Sequence, residues 1–193
     1  MSKGEGVMSE ALVFETPDHL WRWLEQHHAD QPELWVRVFK KASGTPSVTW
    51  DDLVFTALSW GWIDGQRRAL DEVSFLQRLT PRRPRSLWSA RNCAIAGRLI
   101  EEGRMQPPGL TQVQAAREDG RWDRAYAGGA AMTLPGDLLD AVQREPGAQR
   151  TLETLSWAQQ YSIYHRLQTA RTPELRQRRL EAILKQLVGG TPP

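Results

Sequence analysis

Three stretches rich in β-formers occur between Glu33 and Thr80, and the readings beyond them are helical. They are Glu33–Lys41 (ELWVRVFKK), residues 62–70 (WIDGQRRAL) and residues 73–80 (VSFLQRLT). In the first, Leu34, Val36 and Val38 point one way, and Trp35, Arg37 and Phe39 the other, as a half-polar strand requires. The second and third are separated by Asp71–Glu72, which predicts a hairpin. In the third, Val73, Phe75 and Leu79 share a face, and Arg78 projects from the other beside Leu76 and Thr80. Strands gathered early and helices later predict an α+β fold: a small antiparallel sheet of about three strands packed with helices, followed by a helical C-terminal region.

Helix starts are written in the local chemistry. Thr16 with Pro17 opens a helix whose stripe is Leu20, Trp21 and Leu24. Thr49 with Asp52 makes a short acidic capping box, and Gly61 ends that helix. Pro81 and Pro84 interrupt regular structure, and Ser89 or Ser86 caps a helix from Ala90. Further helices are expected after Pro107, on either side of Pro146, after the Ser156–Gln159 box and after Thr172–Pro173. The last carries the stripe Leu180, Ile183, Leu184 and Leu187. The expected organisation is a flexible lead over 1–11, an α+β core over 12–133 and a helical subdomain over 134–193. The glycine-rich stretch YAGGAAMTLPG (126–136) reads as the linker.

Composition narrows the function classes. A length of 193 residues with 40% hydrophobic side chains suffices for a packed core, and nine tryptophans give it bulk. A net charge of +2 argues against avid nucleic-acid binding. One cysteine, Cys93, and four scattered histidines support neither an internal disulfide nor a metal site, and no cofactor motif occurs. With neither an apolar signal segment nor a membrane-length apolar run, a cytoplasmic location without membrane insertion is expected.

An ordered series of motifs resembles the YdeI/OmpD-associated family of bacteriocin-protection proteins. These are LWVRVFKKASGTPSVTWDD, ALSWGWIDGQRRALD, FLQRLTPRRPRSLWSARN, GRMQPPGL, AAREDGRW and the tail AQQYSIYHRLQTARTPELRQRRLEAIL, together spanning about residues 12 to 188. The resemblance implies a bacterial protein of stress or bacteriocin tolerance. It implies no defined reaction.

The candidate site lies around the densest run of positive charge. From Arg78 to Arg98 there are six arginines and no acidic residue. If residues 62–65 are extended, Trp62 and Asp64 share a face, and the hairpin is expected to bring Arg78 beside it. The proline-stiffened loop then carries Arg82 and Arg83 toward the helix start at Ser89. Trp60, Ser86, Trp88 and Asn92 complete an anion pocket, and Lys40 and Lys41 beside the Ser43–Gly44 turn are further candidates. Each has an alternative role. Asp64 is a turn residue, the ion-pair partner of Arg78, or a general base; Trp60 and Trp62 serve as core; the loop arginines and lysines can simply be solvated. Three functions follow: a non-catalytic protein binding a small anionic ligand or a protein partner, an enzyme on a phosphorylated or carboxylated substrate with Asp64 as base, or a single-stranded nucleic-acid binder stacking on Trp88. Replacing Arg82 and Arg83 together is expected to weaken anion binding with little loss of stability.

Overall fold

The computed structural model describes residues 11–128, 132–170 and 172–192. The expected lead (apart from Ala11) and the centre of the expected linker lie outside them. The chain forms two compact units: one gathers residues up to Trp88 with Asn92–Arg124, the other Ser89–Arg91 with residues from Ala125 onward.

The first unit is α+β. Helix α1 (Pro17–His27) starts where the Thr16 hydroxyl accepts the His19 N–H, and it buries Leu20 and Leu24 completely. Strand β1 (Leu34–Phe39) follows; then comes α2 (Trp50–Ser59), opened by the Thr49–Asp52 capping box. Strands β2 (Trp62–Ala69) and β3 (Ser74–Pro81) form the hairpin. All pairs are antiparallel in the order β1-β3-β2. Pro81 does not stand outside the sheet: as the last residue of β3 it faces Trp62, a strand end where a missing N–H is tolerated.

Asp71 makes the hairpin turn. Its carboxylate accepts the Val73 N–H, the Ser74 hydroxyl at 2.7 Å and the Arg37 guanidinium at 2.8 Å. The Ser74 hydrogen bond chiefly, and then these other partners, hold its pKa below the ordinary carboxylate value despite opposing desolvation. The sheet's inner face carries Leu34, Val36, Val38, Phe75 and Leu79 into a core with Leu20, Leu24, Leu53 and Ala57. Gln77, also buried there, donates to the Gly65 carbonyl where β2 bulges against β3.

Helices α3 (Ala90–Glu101) and α4 (Pro107–Glu118) come next. The sequence GRMQPPGL becomes a lock between α4 and the end of α2. Gln106 N–H donates to the Ser59 carbonyl, and a Cβ on Gly109 would collide with that oxygen and with the Met105 sulfur. Gly61, at φ +73°, would place a Cβ 2.9 Å from the Pro108 carbonyl oxygen.

The second unit is helical from Gly136 on: α5 (Gly136–Gln143), α6 (Pro146–Thr154), α7 (Trp157–Gln168) and α8 (Pro173–Val188). They enclose Leu138, Val142, Ala148, Leu152, Ile163, Leu167, Leu180, Ile183 and Leu187. Ser156 and Gln159 form the expected box, and Thr172 caps α8. Arg176 holds both Asp137 oxygens, at 3.0 and 2.8 Å. No helix among the described residues is long and apolar enough to cross a membrane.

Candidate functional site

The sheet register separates residues that the sequence reading placed together. Asp64 faces Leu79 and Trp62 faces Pro81, so Arg78, one residue before Leu79, projects from the opposite face of β3. There it crosses from Trp35 on β1, and its Nε donates to Glu33 Oε2 at 2.6 Å. The expectation that the hairpin brings Arg78 to the face of Trp62 and Asp64 is corrected by this pairing: Glu33, 45 residues away, supplies a carboxylate partner for Arg78. Asp64 is half-buried in β2 beside the bulge.

Trp60 and Trp62 pack into the core. Trp62 is 1% exposed, and its indole N–H donates to the His28 carbonyl at 3.1 Å. Trp23 meets it edge to face at 6.0 Å, Trp21 meets Trp60 in the same way at 5.6 Å, and the His28 ring lies 4.7 Å from Trp60. These indoles join α1 to the end of α2. Lys40 and Lys41 are exposed, and the Lys40 ammonium donates to the Glu72 carbonyl at the hairpin turn.

Hydrogen bonds or ring contacts hold the loop at Arg82, Arg83, Ser86, Leu87 and Trp88. Arg82 N–H donates to the Gly61 carbonyl, and its side chain turns inward, 5% exposed. Its guanidinium lies 3.7 Å from the Trp88 ring centre and donates to the Leu87 carbonyl at 2.6 Å. Arg83 N–H donates to the Ser86 hydroxyl and Ser86 N–H to the Arg83 carbonyl. Arg121 donates to the Ser86 carbonyl at 2.7 Å. Arg85 is left-handed at φ 69°, a conformation costly for a residue with a Cβ. The side chains of Arg83 and Arg85 are exposed.

Behind the loop, aromatic and basic side chains alternate. Trp88 is buried beside Trp122, with ring centres 5.1 Å apart, and Arg117 lies over Trp122 at 4.9 Å. The Trp88 N–H is buried and meets no acceptor among the described residues. Asn92 is buried in the first turn of α3. Ser89 belongs to the second unit, where it bridges Tyr126. Cys93 Sγ lies 4.0 Å from the Trp122 carbonyl. Burial pushes its thiol up to about 11, against the opposing pull of Arg82 and Arg117, so it is no ready nucleophile at neutral pH. Asp119 grips Arg121 Nε through both oxygens, and despite a desolvation cost these bonds keep its pKa below the usual carboxylate value.

Arg117, Arg121 and Trp122 were not among the sequence-derived candidates. Their motif, AAREDGRW, was visible, but the signal tying it to a loop 35 residues earlier is a tertiary contact without local periodicity. Among the described residues no cluster of three or more histidine, cysteine, aspartate or glutamate side chains could hold a metal.

Residues 12–112 match the model of a family described as Domain of unknown function (DUF8412). Residues 131–190 match that of the family described as Bacteriocin-protection, YdeI or OmpD-Associated. The family resemblance read from the sequence is thus matched over the C-terminal part; most of the earlier motifs used for it fall where the other family matches. No curated protein and no solved structure matches the chain.

Proposed function

Because the chain belongs to the DUF8412 domain family over just over half its length, and its C-terminal part is of the bacteriocin-protection, YdeI or OmpD-associated type, we propose that it is a non-catalytic cytoplasmic protein of bacteriocin or envelope-stress tolerance that binds an anionic ligand or partner group through the loop after β3. The observation that carries this reading is the division of labour between neighbouring arginines. Arg82 is spent inward as the loop's anchor, while Arg83 and Arg85 stand in solvent on a turn tied down from both sides. A turn already ordered loses little freedom when it meets a phosphate or carboxylate, and guanidinium suits both through paired N–H donors.

The test is titration of the full chain with inorganic pyrophosphate. Arg83→Ala with Arg85→Ala should abolish saturable binding and leave the melting temperature unchanged. Retained affinity in that variant overturns the reading. So does turnover of a phosphorylated substrate that an Asp64→Asn variant loses, which would make the protein an enzyme instead.

A further inference from the structure

On α7 the side chains Trp157, Gln160, Tyr161, Tyr164, His165 and Gln168 recur at the three- and four-residue steps that line one helical stripe. Aspartate, glutamate, lysine and arginine are all missing from this stripe, in a chain that is one quarter charged.

The aromatic members form a ladder. Trp157 and Tyr161 are parallel to within 6°, with ring centres 5.4 Å apart. Tyr161 continues to Tyr164 at 6.0 Å and to His165 at 6.1 Å, and Tyr126 closes on His165 edge to face at 5.0 Å. The inner end is structural: Tyr164 is buried, and its hydroxyl accepts the Ala127 N–H at 2.7 Å. The outer end is open, with Trp157 54% exposed in the first turn of the helix and Tyr161 only partly covered. Burial and the nearby Arg179 push the His165 pKa down, so that rung is neutral at pH 7. Burial raises the Tyr161 pKa and keeps it a phenol. The one lysine, arginine, aspartate or glutamate of α7 is Arg166, at the far end of the helix, where Arg179 donates to its carbonyl and to the Thr169 hydroxyl. Nine residues from Trp157 to Arg166 amount to about 13 Å of helix.

An open pair of parallel rings offers flat apolar faces, and the Tyr161 phenol and the side-chain oxygen of Gln160, whose amide nitrogen donates to the Leu155 carbonyl, offer hydrogen bonds without charge. An anion or a cationic peptide would find no counter-charge on the stripe. A neutral sugar ring satisfies both: its axial C–H groups pack on an aromatic face while its hydroxyls meet the Gln160 side-chain oxygen and the phenol. We infer that the Trp157–Tyr161 face of α7 is a binding site for a neutral glycan, independent of the arginine loop.

The experiment is calorimetric or NMR titration of the full chain with cellotetraose and with the N-acetylglucosamine tetrasaccharide. Saturable binding to at least one is expected, unchanged between low and high salt, because no ion pair forms. Trp157→Ala should weaken it by roughly tenfold or more, the effect of losing one stacked ring, without moving the melting temperature, and Trp157→Phe should recover part of it. Arg83→Ala with Arg85→Ala should leave it intact. Failure of both glycans to bind, affinity that survives Trp157→Ala, or affinity that collapses with salt overturns the inference.

Discussion

Two aromatic neighbourhoods use the same residue types in opposite ways. Around α1 and α2, Trp21, Trp23, Trp60 and Trp62 meet edge to face and close a core, with Trp62 donating to a backbone carbonyl. On α7, Trp157 and Tyr161 lie parallel and half the indole remains in water. The difference is one of surroundings. Trp62 begins a strand whose next neighbour is the wall of the core, whereas Trp157 stands directly after an N-cap, on the solvent side of its helix. An indole in the first position stabilises the fold; an indole in the second leaves a face available for something else.

The comparison is broken most sharply at Trp62. Trp62→Ala should cost about 3–5 kcal/mol in chemical denaturation, since it empties a fully enclosed site and strands the His28 carbonyl. Trp157→Ala should fall within about 0.5 kcal/mol. Similar losses from the two would mean that exposure does not separate their roles.

The arginine loop sharpens the same contrast at a smaller scale. Arg82→Ala removes a buried stack on Trp88 and a donor to Leu87, and should cost about 1–3 kcal/mol. Arg83→Ala should be near neutral in the same denaturation series. The sequence-based expectation that both could be removed with little loss of stability therefore splits, with Arg82 on the structural side.

The smallest effect is a pH slope at His165. Its pKa is lowered in the folded chain, first by burial and then by Arg179. Below the ordinary value of roughly 6.5 the unfolded chain binds a proton that the folded chain resists, so this contribution is present above about pH 6.5 and is lost as pH falls through the folded pKa. Denaturation midpoints for the protein and for His165→Gln should converge as the solution is acidified; parallel curves would show that the imidazole does not couple to folding.

What could be read without coordinates was local. Thr16, Thr49 with Asp52, Ser156 with Gln159, and Thr172 each cap a helix through atoms three residues away, so their chemistry is contained in a tetrapeptide. The three strands and their hairpin were legible for the same reason. The candidate site was not, because its geometry depends on long-range choices. Arg78 pairs with Glu33 because β3 sits between β1 and β2, and Arg82 turns inward because the Trp88 ring is there to receive it. The bulge opposite Arg78 likewise arises from register, with the glycine at position 65 as its one local sign.

That bulge has a bearing on how the chain behaves in a crowd. Among the described residues β2 is an outer strand of the sheet, with a side bare of strand partners. A kink at Gly65–Gln66 followed by the exposed residues Arg67 and Arg68, whose guanidiniums lie over the Phe75 and Trp35 rings, spoils the flat, uncharged template that a second chain would need in order to add itself to the row. Straightening the strand and exchanging those two arginines for valines would convert a guarded margin into a seed for aggregation.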